Sequence, residues 1–356
     1  MRVDMTETAR DWMIYGANGY TGELIAREAV RRGLRPIVVG RSAAAIAPLA
    51  TELGLDHRVV ALDDATALDA ALAAVKVVIH CAGPFARTSR PMVEACLRKR
   101  VHYLDITGEV EVFEACAART AAARAAGVML LPGTGFDVAP SDCLAAHLAS
   151  RLPTATHLAL GFQVAASVSR GTATTMVENI HRGGHVRRDG VLTRVRPGYK
   201  TRLIDFGRGP QTAVTIPWGD VSTAFHSTGI PNVEVYMAAP AETRAMLLFA
   251  RVAGPLLGTR PVQRLLKAAI RRAPRGPSAD QRASARSFLW GEARDADRTV
   301  VSRLNAPESY ALTVQTALAA VGKVRSGAAR PGFQTPSLAF GRDFILEIEG
   351  VTRSDA

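Results

Sequence analysis

The chain has 356 residues, with 44 Lys or Arg against 32 Asp or Glu, a formal charge of +12. Hydrophobic residues at 48% and charged residues at 21% describe a globular protein and exclude disorder, collagen or coiled coil as whole-chain architectures. The length fits two domains, and the positive balance raises nucleic acid or an anionic membrane as partner until the charge is located along the chain.

Met1–Arg10 is polar, with no apolar signal-peptide core, and no run of 18 uncharged apolar residues follows. The four cysteines, Cys81, Cys96, Cys116 and Cys143, form no CxxC pair and no Cys/His cluster of metal spacing. The expectation is reduced thiols, a cytoplasmic protein and no metal site.

In chain order, Met13-Ile14-Tyr15 is a short apolar strand that runs into Gly16-Ala17-Asn18-Gly19-Tyr20-Thr21-Gly22. Glu23–Arg32 has helical spacing, with Leu24, Ile25, Ala29 and Val30 on one face, and it stops at Gly33. A second strand, Pro36–Gly40, follows. Three glycines between a strand and a helix are the context that a phosphate-binding turn requires. Glycine lets the backbone turn sharply and lets a pyrophosphate approach, and the helix N-terminus offers N–H groups and a positive dipole end. The spacing is G-x-x-G-x-x-G, and the turn is assigned to the cofactor through Gly16, Asn18, Gly19, Tyr20, Thr21 and Gly22.

The end of the second strand selects the nucleotide. An NAD-preferring site would carry Asp or Glu there; this chain has Gly40-Arg41-Ser42. A guanidinium and a hydroxyl suit a 2′-phosphate, so Arg41 and Ser42 point to NADP(H). The alternation continues with a strand at Arg58–Leu62, a helix at Thr66–Ala74 and a strand at Lys76–Cys81. Asp63 is a candidate for the adenine pocket, with an exposed loop carboxylate as the other reading. The fourth strand ends in Cys81-Ala82-Gly83-Pro84-Phe85, expected under the nicotinamide half of the cofactor, because ligands bind at the carboxyl ends of such strands. A helix (Pro91–Arg100), a strand (Val101–Leu104), the loop Asp105–Glu109, a helix (Val112–Ala126) and a strand (Val128–Pro132) complete an α/β, Rossmann-type doubly wound parallel sheet.

Four segments carry a family resemblance: the glycine turn, Cys81–Phe85, His102-Tyr103-Leu104-Asp105-Ile106-Thr107-Gly108-Glu109, and Gly133-Thr134-Gly135-Phe136-Asp137-Val138-Ala139-Pro140-Ser141-Asp142. Over about Trp12–Ser150 the chain resembles the bacterial saccharopine dehydrogenase-like oxidoreductases, which include trans-acting enoyl reductases. Weaker echoes are Gly171–Thr175 and Pro331-Gly332-Phe333-Gln334-Thr335-Pro336. The Lys/His acid–base pair of the lysine-forming saccharopine dehydrogenases has no counterpart here. The resemblance implies a sheet domain inserted into the cofactor domain and a C-terminal segment that returns to it.

Beyond Ala155 the pattern agrees. Thr156–Val164 alternates like a strand, and His185–Val195 holds Asp189-Gly190 between strand-like arms, a hairpin signal. Gln211–Pro217, Asn232–Met237 and Ser287–Glu292 are further strands, and Arg294–Leu304 brackets a turn at Asp295-Ala296-Asp297. The expected layout is a cofactor domain over 1–135, an α+β, mostly antiparallel substrate domain over 136–305, and a segment over 306–356 returning to the first domain, with Tyr310–Val324 as its helix.

Arg244–Gly276 carries eight basic residues and no acidic one, interleaved with apolar residues. Such a basic amphipathic stretch can pack on the sheet, form a homodimer contact, or touch a peripheral membrane surface or an acyl carrier. It matches no nucleic-acid module, so no nucleic-acid partner is expected.

Candidate proton donors are Tyr103, Asp105, Glu109 and Asp137, each with a structural alternative: core packing for Tyr103, helix-start or capping roles for the carboxylates. Phe136, Arg170, Thr172, Trp218 and His226 are candidate substrate contacts, Arg170 for a carboxylate or phosphate; Trp218 and Tyr236 also suit a core. The function expected is NADP(H)-dependent hydride transfer to an enoyl, imine or carbonyl substrate. The alternative is a cofactor-binding interaction or regulatory protein with little catalysis.

Overall fold

The computed structural model describes residues 11–164, 168–179, 183–240 and 257–356. The chain divides into two compact units. One runs to Gly135 and includes Thr313–Gln334; the other comprises Phe136–Leu312 and Thr335–Ala356.

The first unit holds the strands β1 (Trp12–Tyr15), β2 (Ile37–Gly40), β3 (His57–Val59), β4 (Val77–His80), β5 (His102–Asp105), β6 (Met129–Leu131) and β15 (Gly332–Phe333). They form a seven-stranded sheet in the order β15-β6-β5-β4-β1-β2-β3, and every pairing in it is parallel. The inner strands β1, β2 and β4 are buried at every position, which is why they read as unbroken apolar runs. Helices α1 (Tyr20–Arg31), α2 (Ala43–Leu53), α3 (Ala65–Leu72) and α4 (Phe85–Lys99) make the crossovers. Strand order reverses between β1 and β4, and that switch point places the β1–α1 turn beside the loop after β4.

Two helix expectations differ. The helix before β5 starts at Phe85, six residues ahead of Pro91, which lies inside it. Pro91 removes one backbone donor, and the helix continues because only that one bond is lost. The single helix expected over Val112–Ala126 is two, α5 (Val110–Ala117) and α6 (Thr120–Ala126), broken around Ala118-Arg119.

The second unit is a nine-stranded sheet. Its main path is β10 (Thr201–Asp205), β11 (Pro210–Thr215), β12 (Asn232–Ala238), β7 (His157–Val164), β13 (Arg286–Arg294), β14 (Thr299–Pro307) and β16 (Thr352–Asp355). The hairpin of β8 (Gly184–Arg188) and β9 (Val191–Val195) branches from β12. All its pairings are antiparallel except β12 with β7. The expected Asp189-Gly190 turn is present, with φ of 47° and 78°, the doubly positive geometry of a tight hairpin. On one face Phe206, Ile204, Tyr236 and Trp290 form a buried cluster. On the other, α7 (Ala139–Arg151) packs so closely that a Cβ on Gly291 would fall 2.5 Å from Leu148 Cδ1.

The return is narrower than the 306–356 segment expected. Helix α12 (Ser309–Lys323) enters the first unit at Thr313, and β15 adds to β6 before the chain leaves again after Gln334. From Thr335 on, the tail belongs to the second unit, where β16 pairs with β14.

The described part of the basic stretch holds α10 (Arg260–Arg272), which meets α8 (Arg170–Asn179). Gln263 Nε2 donates to the Val177 carbonyl at 2.8 Å and Lys267 pairs with Glu178 at 2.5 Å. Arg260, Arg264, Arg271 and Arg272 face solvent, as does Leu265. Residues 241–256, with Arg244 and Arg251, lie outside the described residues. No described helix is long and apolar enough to cross a membrane.

Candidate functional site

The nucleotide turn is built from backbone contacts. Gly16 has a φ of +81°, and a Cβ on it would lie 2.8 Å from both Cβ and backbone N of Ala82. The turn after β1 is thus pressed against the loop after β4, and only glycine fits. Gly22 serves the helix instead. A Cβ there would fall 2.4 Å from the Gly16 carbonyl oxygen, and without one α1 comes down onto the turn. The N-cap of α1 is Gly19, which has no side chain to cap the helix. First-turn N–H groups of a helix so placed are suited to phosphate oxygens.

Around this turn stand other residues that the sequence assigns to the nucleotide. Asn18 lies over the end of β2, its Oδ1 2.7 Å from where a Gly40 Cβ would be. Arg41 and Ser42 are exposed immediately beyond. The charges of Arg41 and of Asp63, also exposed, both reach the Tyr15 hydroxyl, which donates to the Val60 carbonyl at 2.9 Å. Burial raises the Tyr15 pKa, Arg41 lowers it and Asp63 raises it. Arg41 and Asp63 therefore both lie within electrostatic reach of Tyr15, a grouping that Tyr15, not singled out from the sequence, makes visible.

Behind the turn, the loops are pinned by buried carboxylates. Asp105 is fully buried at the end of β5. Its Oδ1 accepts from Thr107 N at 2.9 Å and Gly133 N at 2.8 Å, and its Oδ2 accepts from the Tyr103 hydroxyl at 2.6 Å. Its backbone carbonyl accepts from Thr134 N and Thr134 Oγ1 at 2.8 and 2.7 Å. Asp105 thus staples the loop after β5 to the loop after β6. Burial pushes its carboxyl up to about 6, against the lowering effect of the three donors. Burial and the neighbouring Asp105 raise the Tyr103 phenol in turn.

Glu109 does begin a helix, as its N-cap, but its carboxylate serves a different one. Oε1 and Oε2 accept from Phe85 N and Ala86 N, both at 2.8 Å, so Glu109 caps α4 and fixes the loop after β4. Thr88 Oγ1 closes the same loop onto the Ala82 and Pro84 carbonyls. The sequence did not single out His80. It is fully buried beside the Tyr15, Phe85 and Tyr103 rings, and burial pushes its pKa down to about 3. This is a neutral imidazole in an aromatic setting. Burial raises the Cys81 thiol, which disfavours the thiolate at neutral pH.

The second unit gathers a separate set. Asp137 lies one residue ahead of the α7 N-cap, Val138, and so does not cap that helix. Trp218 Nε1 donates to the Asp137 carbonyl at 2.5 Å. Phe136 packs edge-on to Phe162, which packs on Trp218. Thr172 Oγ1 is 3.1 Å from the Tyr310 hydroxyl, and the Asp137 charge reaches that phenol. Phe136, Asp137, Thr172 and Trp218 are therefore neighbours, joined by Tyr310, which the sequence offered only as part of a helix. Arg170 instead donates through Nε to the Ala273 carbonyl at 2.6 Å. His226 meets the Phe225 ring edge-on near the end of α9 (Asp220–Thr228). Tyr236 belongs to the buried cluster on the other face.

The Pro-Ser-Asp and Gln-Thr-Pro echoes also meet in this unit. Asp142 accepts from Ser227 Oγ and, at 2.7 Å, from Ser337 N, while Thr335 Oγ1 lies 2.7 Å from Ser227 Oγ. Burial raises the pKa of Asp142 and of neighbouring Asp220. Among the described residues no group of three or more His, Cys, Asp or Glu is placed to hold a metal ion.

Residues 12–131 match the family model of the saccharopine dehydrogenase NADP binding domain. A trans-acting enoyl reductase of Mycobacterium tuberculosis is 30% identical over 146 residues, covering 37% of this chain and 34% of that protein. One of Mycobacterium leprae is 30% identical over 140 residues, with the same coverage. The chain spans about a third of the length of these curated relatives. The saccharopine dehydrogenase (L-Glu forming) of Saccharomyces cerevisiae matches 98% of this chain and 100% of its own, with a TM-score of 0.65 and 12% identity. The chain thus has the fold of that dehydrogenase. Every nucleotide-turn residue picked from the sequence lies inside the matched segment.

Proposed function

We propose that the protein is an NADP(H)-dependent oxidoreductase that reduces an enoyl, imine or carbonyl group. The observation that carries this reading is the turn at Gly16, closed against Ala82, with Arg41 exposed at the end of β2. A 2′-phosphate offers a dianion to that guanidinium; a bare ribose would leave the charge without use. The curated relatives are named as enoyl reductases and the structural neighbour as a dehydrogenase, which supports reductive chemistry.

Bound there, the dinucleotide would supply a hydride, and this chain would supply position. Glu109, Thr88 and Asp105 hold the loops after β4, β5 and β6 without spending a mobile side chain on the ligand. Titration with NADPH and NADH, followed by nicotinamide fluorescence, tests the reading. NADPH should bind at least tenfold more tightly; binding of neither nucleotide would refute it.

A further inference from the structure

We propose that α10 is an interfacial helix that docks the second unit on an anionic lipid surface. The inference goes beyond the proposed function and does not depend on it.

The residues of α10 sort into two stripes. Val262, Leu265, Leu266, Ala269 and Ile270 follow the i, i+3, i+4, i+7, i+8 spacing of one helix face. Arg260, Arg264, Lys267 and Arg271 recur at i, i+4, i+7 and i+11 on the opposite face, and the helix holds no acidic residue. A helix of this pattern in a globular protein turns its apolar stripe to a core. Here no residue of α10 is buried, and Leu265 keeps 71% of its surface exposed. The bonds that hold α10 to α8 are polar. Gln263 Nε2 donates to the Val177 carbonyl, and Lys267 pairs with Glu178. Just past the helix, the Ala273 and Arg275 carbonyls accept from Nε and N of Arg170 at 2.6 and 3.1 Å. Gln263 and Lys267, one turn apart, thus fix the helix by one edge and leave Leu265 and Ala269 exposed.

The charges indicate what covers the stripe. Like charges three and four residues apart destabilise a helix, and Arg260 puts a cation in the first turn, where the helix dipole disfavours it. Glu178 relieves Lys267, whereas Arg260, Arg264, Arg271 and Arg272 are exposed and have no ion pair among the described residues. An anionic bilayer relieves them together. A helix lying in the headgroup layer keeps its polar face within a Debye length of the lipid charges, while its aliphatic side chains enter the acyl boundary. A second copy of this chain fits poorly, because a two-fold contact would set two wholly cationic helices side by side. A protein partner is disfavoured by composition, since α10 carries none of the aromatic residues that anchor protein interfaces. Nucleic acid would use the arginines and leave the apolar stripe in water.

The test uses the full-length protein and sedimentation with vesicles of phosphatidylcholine, alone or with one third phosphatidylglycerol. The native protein should bind the phosphatidylglycerol vesicles at least about tenfold more tightly, and about 0.5 M salt should remove most of that preference. Replacing Arg260, Arg264, Arg271 and Arg272 together by Gln should weaken binding about a hundredfold, and Leu265→Asp about tenfold. In Leu265→Trp, brominated lipid should quench the added indole fluorescence, which marks entry into the acyl boundary. The replaced side chains are exposed, so urea midpoints should match the native protein; if the four-site variant folds poorly, the salt dependence and the Leu265→Trp quenching decide. No preference for anionic vesicles, undiminished binding in Leu265→Asp, or no quenching would overturn lipid docking. Absent vesicle binding together with a self-association that Leu265→Asp abolishes would assign the face to a second copy. Absent vesicle binding with retention on polyglutamate would assign it to an acidic protein, and either result also overturns the proposal.

Discussion

The cofactor turn of the first unit and the Tyr310 cluster of the second are built in opposite ways. In the turn, the contacts are between backbone atoms close in sequence, plus one approach to Ala82; side chains matter chiefly by being absent. In the cluster, the hydrogen-bonding atoms come from different elements: α8 and the loop before it, the turn before α7, the loop before α9 and α12. A backbone-built site depends on glycine and is rigid by covalent geometry. A side-chain-built site depends on sequence-distant packing and can change its ligand with few substitutions.

The sharpest way to break the first side of that contrast is Gly16→Ala. The methyl would meet Ala82 and a positive φ together. The two effects cost about 4 kcal/mol in sum. We expect a fall in melting temperature of at least 10 °C and loss of NADPH binding. Normal binding with a normal melting temperature would show that the turn is not packed as described.

On the second side, Asp142→Ala removes the acceptor of Ser337 N and Ser227 Oγ. A buried N–H left without a partner, together with the lost hydroxyl contact, costs about 3 kcal/mol. Urea unfolding should report that loss while NADPH affinity, measured on the folded fraction, stays within twofold. An equal loss of NADPH affinity would mean that the two sites are not separable.

These two positions also explain what was legible in the sequence. Gly16-x-x-Gly19-x-x-Gly22 between an apolar strand and an amphipathic helix is a local pattern, and local geometry nearly determines its structure. The hairpin at Asp189-Gly190 is legible for the same reason. Glu109 was legible as a helix-start residue, but its carboxylate caps α4, 23 and 24 residues earlier in sequence. No periodicity encodes that choice between two helices. Tyr310 was hidden because its hydroxyl meets Ser169, 141 residues away, and its position in an apolar helix reads as packing. Pro91 misleads as a boundary because proline suits a helix start, whereas the start of this helix is set by Pro84 and Glu109.

Asp105 allows the contrast to be sharpened through pH. Its folded pKa of about 6 lies above the unfolded value of 3.8, so the folded protein holds the extra proton between those values. Stability from this group is present at low pH and is lost as pH rises from about 4 to about 6, by about 3 kcal/mol in all. Asparagine can keep the acceptor for Thr107 N and Gly133 N and donate to the Tyr103 oxygen. Asp105→Asn should therefore flatten this part of the profile. The difference between native and variant urea stabilities at pH 4 and pH 7 isolates the group from Asp142 and Asp220, whose raised pKa values act in the same direction. Identical slopes would show that Asp105 stays ionised throughout.

The smallest expected effect is the most discriminating for nucleotide choice. Arg41→Ala leaves the fold untouched, since the side chain is exposed at the end of β2 and makes no hydrogen bond or ion pair among the described residues. What it removes is a charge-assisted contact to a 2′-phosphate, worth about 2 kcal/mol or roughly 30-fold in affinity. NADPH should weaken by that factor and NADH by less than twofold, bringing the two nucleotides close to parity. Asp63 supplies the control. It acts on Tyr15 with the opposite charge to Arg41, so Asp63→Asn should tighten NADPH slightly and leave NADH unchanged. Equal losses for both nucleotides in Arg41→Ala would assign Arg41 to the shared pyrophosphate or adenine. Selection of the phosphorylated cofactor would then have to come from Ser42 or the Asn18 amide.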